Sequence, residues 1–415
     1  MHGKTTPLKP IAYHTYNGTI IFVLVLGLKD MSPGTAYSCL IRLHSAVGKF
    51  SLINLLGTSW LGTTATGLFI AIPDEFGLRP HDYLASLYEV FAGQGLPIRS
   101  GISWGPFLCF TDIDNHVNFV GRTINVAARL AYSPNNPGCF IHSAYLDYAK
   151  GFAESKGSTL LAKGSSVTVL GKKHDGAGFR CCALTHEDLP VITSVIDKPM
   201  PRKYSDPRHS TGIILAYDLP QFSEGDESQI RKRVRSLVDT LRGLRENNLS
   251  ARNAEMYFCP GGDGGLLVLP GLRQEAVELS KQLAQQLVVE SEYKDRPISV
   301  DARLGVHYGA VTLYVDAAGR VRPTGPSCFI ADELIADEAS KNAGLVFSNA
   351  LKDVISHGSG AFLRSEFEEL PLLTSGPADG VLRFTPRRSV DGEFKHPLVE
   401  KLFGPTSSWQ SGKLE

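Results

Sequence analysis

Five short blocks of this sequence recur in the same order later in the chain. RSGISWG from Arg99 lines up with RLGVHYG from Arg303, and at the same offset of 204 residues Gly121 in VGRTINVAARL meets Gly325 in TGPSCFIADEL. GCFIHSAYLD from Gly138 resembles GLVFSNALKD from Gly344. Upstream, ATGLFIAIP from Ala65 resembles GDGGLLVLP from Gly262, and VLGLKDMS from Val25 resembles AYDLPQFS from Ala216. A repeat of this length is a whole domain rather than a solenoid unit. The chain therefore reads as two copies of one domain, 12–190 and 208–390. A polar, proline-bearing linker over 191–207 joins them, and a loose tail over 391–415 follows.

Each copy alternates α and β. In the second, Thr211 to Tyr217 is an apolar strand. Ser223 is expected to cap a helix carrying Ile230, Val234, Leu237, Leu241 and Leu244. MYFCPGGDGGLLVLP reads as strand, glycine turn, strand. Ala276, Leu279, Leu283 and Leu287 mark a second amphipathic helix, and SVDARLGVHYGAVTLYV returns to strand. The order β-α-β-hairpin-α-β is that of a ferredoxin-like, palm-type α+β domain.

Composition narrows the function classes. Lys plus Arg number 42 and Asp plus Glu 42, which lacks the basic excess of a general nucleic-acid binder. The apolar run from Thr19 to Leu28 is about half what a membrane span needs and reads as a buried strand. Seven cysteines without a Cys-x-x-Cys pattern exclude a zinc finger and read as reduced, buried thiols, Cys181 and Cys182 among them. A soluble, cytoplasmic protein is expected.

Chemistry concentrates at two places. In the second copy, Asp218 ends a strand and Asp263 sits at the tip of a Gly-Gly-Asp-Gly-Gly hairpin. Two carboxylates at neighbouring strand ends suit Mg²⁺ when substrate phosphates complete its shell. The helix start near Phe222 and Ser223 offers backbone N–H groups to a triphosphate. In the first copy, Asn125 and Arg129 lie four apart and share one helix face. Such a pair can orient a sugar oxygen and neutralise phosphoryl charge. Singly, each has a plainer reading, as a hairpin turn and as a surface helix. The difference between the copies is what adds meaning. Gly27 and Thr66 stand where the second copy has Asp218 and Asp263, and Phe329 and Glu333 stand where the first has Asn125 and Arg129. One copy keeps the carboxylates and the other the Asn/Arg pair, as expected of one composite site between them and one degenerate partner site.

This pattern resembles the class III nucleotidyl cyclases, the adenylate and guanylate cyclase family. AYDLPQFS is similar to the family's metal strand, GGDGG to its second metal hairpin, and VGRTINVAARL to its transition-state helix. The resemblance covers nearly all of the chain except linker and tail. It implies two tandem cyclase domains forming an intramolecular pseudo-heterodimer, with the Asn/Arg half first. It further implies two Mg²⁺ or Mn²⁺ ions on Asp218 and Asp263, a ribose oriented by Asn125, and Arg129 on the α-phosphate. Lys172 or Lys173 would meet the terminal phosphates, and Trp60 and Asn118 fall at the base-reading positions. Adenylate cyclases carry Lys and Asp there and guanylate cyclases Glu and Cys, so the base stays open between adenine and a pyrimidine. Some bacterial relatives make cyclic CMP or cyclic UMP in antiphage defence, with a separate effector protein reading the product. A catalytically dead, nucleotide-binding pseudo-cyclase is the alternative. A GGDEF-like palm enzyme is a third reading, although such an enzyme would not need the Asn-x-x-x-Arg helix in the other half.

Overall fold

The computed structural model describes residues 12–55, 59–133, 138–152, 154–170, 178–192, 194–196, 206–219, 222, 225–246, 255–271, 303–316, 319–336, 345–348, 350–351, 368–370 and 381–384. The second amphipathic helix expected around Ala276 and the tail lie outside them.

The described strands form two eight-stranded sheets. The first contains β1 (Thr15–Val25), β2 (Trp60–Thr63), β3 (Gly67–Pro73), β4 (Ile98–Thr111), β5 (Val117–Val120), β6 (Cys139–His142), β7 (Ser165–Leu170) and β8 (Gly178–Leu184). Its order is β2-β3-β1-β4-β6-β8-β7, with β5 paired only to β4. The second contains β9 (Arg208–Asp218), β10 (Tyr257–Pro260), β11 (Gly264–Pro270), β12 (Arg303–Val315), β13 (Val321–Thr324), β14 (Leu345–Ser348), β15 (Glu368–Leu370) and β16 (Val381–Phe384). Its order, β10-β11-β9-β12-β14-β16-β15 with β13 on β12, repeats the first strand for strand. Each copy thus extends past the expected β-α-β-hairpin-α-β core by a short hairpin arm and further strands.

Of the apolar run Thr19 to Leu28 read as a buried strand, the part through Val25 ends β1 and is covered on both faces, whereas Leu28 falls in a short turn after it. Alternate residues divide between two cores. Ile21 and Val23 face α1 (Pro33–Asn54) and α2 (Leu84–Gly93), while Ile20 and Phe22 face α3 (Arg122–Ala131). The glycine shared by RSGISWG and RLGVHYG has a packing reason. A Cβ on Gly101 would sit 2.0 Å from the Ala127 carbonyl oxygen, and one on Gly305 2.7 Å from that of Ala331. Only a bare backbone lets α3, and its counterpart after β13, lie directly on the central strand.

Three further helices are α4 (Ser143–Ala149), α5 (Lys156–Lys163) and α6 (Glu227–Leu244), and α7 (Pro326–Ala336) follows β13. The helix expected after Ser223 starts later. Asp226 is its cap, in a capping box with Gln229, and Ser223 lies outside the described residues. The start of the expected linker stays on the first copy: Arg42, buried in α1, donates to the Ile196 carbonyl at 2.7 Å and that of Gln94 at 3.0 Å.

The copies exchange their arms. Leu108, Phe110, Ile113 and Val120 of the β4–β5 arm join the core that β9, β11 and α6 build in the second copy. Reciprocally, Tyr314 of β12 enters the core of the first copy, beside Tyr37 and within 3.4 Å of His44. All seven cysteines are free and buried, as reduced core thiols.

This burial makes stability depend on pH. Burial, helped by the Arg320 and Arg322 cations and opposed by Asp316, pushes the His44 imidazole down to about 4, and burial alone pushes His307 down to about 4. The folded pKa lies below the unfolded 6.5, so the unfolded chain takes up protons first. The contribution is complete above pH 6.5 and lost as pH falls from there toward 4. Between pH 6.5 and 5 each histidine is expected to remove about 2 kcal/mol. A urea midpoint that stays level between pH 7.5 and 5 would contradict this.

Candidate functional site

Asp218 is the last residue of β9, opposite Gly264 of β11 and Arg303 of β12. Asp263 is at the adjoining hairpin tip, where its carbonyl accepts from the Leu219 N–H at 2.8 Å. Strand pairing therefore brings the two carboxyl-bearing residues to one sheet end, and both are half-buried. From the other copy, α3 brings Asn125. Gly262, at φ +99, lies so close that a Cβ there would be 2.7 Å from Asn125 Oδ1. Asn125 is 6% exposed, and its Nδ2 is buried without a hydrogen-bond partner among the described residues. Arg129 is half-buried one turn further along the same helix.

Sequence reading missed Arg303. Its Nη2 donates to Asp218 Oδ2, beside it in register. The signal was present, because both aligned blocks begin with arginine. In the first copy that arginine, Arg99, reaches instead to the Ala131 carbonyl at the end of α3, 3.3 Å away.

Register also corrects one alignment. Leu24 is opposite Gly67 and Arg99, as Asp218 is opposite Gly264 and Arg303. The Val25 N–H donates to the Thr66 carbonyl at 3.2 Å, as that of Leu219 does to Asp263. Leu24, rather than Gly27, therefore holds the place of Asp218, and Gly27 belongs to a left-handed turn further on (φ 68). The degenerate site offers Leu24 and Thr66 where the other has carboxylates. An ion pair crosses it, Lys29 to Glu333 at 3.9 Å.

Two expected base contacts are placed elsewhere. Trp60 is 9% exposed and stacks on Phe119 at 5.7 Å, with Tyr16 edge-on at 4.9 Å. It is a core aromatic on the face that Phe119 covers. Asn118 precedes Phe119 in β5 and projects to the opposite face. Its Nδ2 donates to Asp112 Oδ2 at 2.6 Å, and its Oδ1 accepts from Arg320 of the second copy at 3.4 Å. Both ends of the amide are occupied, and the two residues do not share a pocket.

For the expected phosphate contacts, the Phe222 N–H is bonded to the Leu219 carbonyl at 3.2 Å. The Phe222 ring is buried, with the Arg233 guanidinium 5.5 Å from its centroid. Lys172 and Lys173, like Ser223, lie outside the described residues.

The donors at Asp218 and Asp263 fit hard divalent cations. Two carboxyl-bearing residues share one sheet end, and the Asn125 amide, whose Nδ2 has no hydrogen-bond partner among the described residues, lies against the glycine beside Asp263. A second group among the described residues, Asp112, Asp114 and His116 in the β4–β5 turn, also has the spacing to hold a metal. There, however, Asp112 Oδ1 accepts the Asp114 and His116 N–H groups at 2.9 and 2.8 Å, and its Oδ2 takes Asn118. Those bonds are what shape the turn.

No protein-family model and no curated protein matches the chain. Among solved structures, a class III adenylyl cyclase-like ATP-binding protein from Pseudomonas aeruginosa is similar at a TM-score of 0.54 and 13% identity, over 82% of this chain and 85% of that one. The adenylyl cyclase CyaB from P. aeruginosa matches 44% of this chain with 98% of its own (TM-score 0.32, 12% identity). An adenylate/guanylate cyclase/hydrolase from Silicibacter pomeroyi matches 44% with 100% of its own (TM-score 0.34, 19% identity). With the repeated sheet order and the exchanged arms, the likeness to the first of these gives the chain the class III adenylyl cyclase-like fold, present as two tandem copies.

Proposed function

We propose that the chain is a metal-dependent nucleotide cyclase with one composite site, converting a nucleoside triphosphate to a 3′,5′-cyclic nucleotide and pyrophosphate. The observation that carries this is the contact between copies: Asn125 of one against Gly262, beside Asp263, of the other. Asp218 and Asp263 would hold two Mg²⁺ or Mn²⁺ ions, which when bound make the ribose 3′-hydroxyl more acidic and offset triphosphate charge. Asn125 offers its unpartnered N–H to the ribose and fixes the sugar for in-line approach. Arg129, on the same helix face, neutralises charge building on the α-phosphate. Arg303 holds the Asp218 carboxylate in place. The bond from the 3′-oxygen to the α-phosphorus forms, the bond to the bridging oxygen breaks, the hydroxyl proton leaves to solvent, and pyrophosphate departs. With Trp60 and Asn118 engaged in the protein's own packing, the base is left for experiment.

A nucleotide-binding pseudo-cyclase is the second reading. It is favoured by the Arg303 cation already paired with Asp218 and by the similar Pseudomonas protein being described as cyclase-like and ATP-binding. Incubation with ATP, GTP, CTP and UTP plus Mn²⁺, with products identified by mass spectrometry, decides between the two. A cyclic nucleotide supports the enzyme and names the base, and a pyrimidine product would favour a role in antiphage signalling. Triphosphate binding without turnover supports the pseudo-cyclase.

A further inference from the structure

At the seam between the copies one arginine joins three elements. Arg320, 4% exposed in the β12–β13 turn, is ion-paired to Asp316 at 3.0 Å. Its two Nη atoms cross to the first copy. They donate to the Leu61 carbonyl at 3.2 Å and Thr63 Oγ1 at 3.2 Å on β2, and to Asn118 Oδ1 at 3.4 Å and the Val117 carbonyl at 3.5 Å on β5. Thr63 Oγ1 in turn donates to Asp316 Oδ2 at 2.8 Å. The placement of these partners matters. β5 runs through Gly121 directly into α3, so the gripped Asn118 lies in the short strand that leads into the helix, and Asn125 is in that helix's first turn. On the other side, β12 runs from Arg320's turn back to Arg303, the partner of Asp218. Asn118 Nδ2 donates to Asp112 Oδ2 and to the His116 carbonyl at 3.3 Å, which turns the amide oxygen toward Arg320.

We infer that Arg320 is a positioning residue for the composite site, a planar strut that fixes the Asn125/Arg129 helix of one copy relative to the Asp218/Asp263 sheet end of the other. This rests on the cyclase reading above. A guanidinium is suited to the task because its donors are rigidly spread in one plane, which a lysine ammonium cannot reproduce. Displacing a catalytic group by about 1 Å costs about 10²-fold in rate. The effect should fall mainly on kcat, because Asp218 and Asp263, which would hold the metal-bound triphosphate, stay together on the second copy while Asn125 and Arg129 shift against them.

The experiment compares Arg320→Lys and Arg320→Gln with wild type in urea unfolding, kcat and KM. Hydrogen exchange of α3 and of residues 257–270 is followed in parallel. Arg320→Lys keeps the charge beside Asp316 and is expected to recover most of the stability that Arg320→Gln loses. Its kcat should still be at least about 10-fold down, with KM within about threefold. A role confined to charge balance would return kcat together with stability, and that result, or wild-type kcat in either folded variant, would overturn the inference. If Arg320→Gln does not fold, Thr63→Val replaces it, with a smaller fall in kcat expected and an unchanged kcat counting against the strut. If wild type cyclises none of the four nucleotides, the cyclase reading fails on its own. Exchange then decides the strut: α3 and 257–270 should exchange at least about 10-fold faster in Arg320→Lys at unchanged global stability. Unchanged exchange refutes it.

Discussion

Asp263→Ala is expected to fold normally and to lose cyclisation by about 10³-fold or more, because metal-centred charge stabilisation is worth several kcal/mol in a transition state. The carboxylate sits at a half-buried hairpin tip between glycines, where truncation opens no core cavity, so the fold is spared. Arg129→Ala is expected to lose about 10²–10³-fold, the usual cost of deleting one donor to a developing negative charge. The two lesions lie in different copies of the domain but in one chain, whose halves share a buried core through the exchanged arms. An equimolar mixture of the two variants should therefore stay at the sum of its parents. Restored activity in the mixture would mean that sites form between chains and would sink the intramolecular pseudo-heterodimer.

Asp316→Asn is expected to be the most destabilising of the conservative substitutions at the seam. Asp316 is 3% exposed and pairs with Arg320 at 3.0 Å and Arg322 at 3.2 Å. Burial by itself would raise its pKa, but the two guanidinium groups outweigh burial and hold the carboxyl well below the usual range. Removing that charge leaves two arginines, each under one-tenth exposed, facing one another without their counter-ion. Breaking a buried ion pair from one side costs about 3–5 kcal/mol. The melting temperature should fall by about 3–6 °C. A loss under about 1 kcal/mol in urea unfolding would place the seam in the class of exposed ion pairs and contradict its burial.

Much of this was readable without coordinates. The repeat is a covalent fact, and two copies of one sequence pattern fold alike, as the matching sheet orders record. The glycine hairpin, the amphipathic α6 and the buried β1 follow from local periodicity and turn chemistry. Of the proposed composite site, the sequence specified which residue types each copy retains, and Asn125 does meet the glycine beside Asp263. No family model or curated relative was needed for that step, since one copy served as the comparison for the other.

What the sequence could not fix depends on partners distant along the chain. Strand register assigned Leu24 rather than Gly27 to the place of Asp218, because register is set by the neighbouring strands and a small slip leaves local composition unchanged. Whether Asn118 was free to read a base depended on Arg320, 202 residues later, and on Asp112 across the turn. Trp60 became core because Phe119 and Tyr16 arrive from other strands to cover it. Arg303 acquired its role only when β9 and β12 placed it beside a carboxylate that the first copy lacks. The sequence determined what each residue can donate, accept or bury. The tertiary structure decided which of those capacities is already satisfied inside the protein, and so which remain for a ligand.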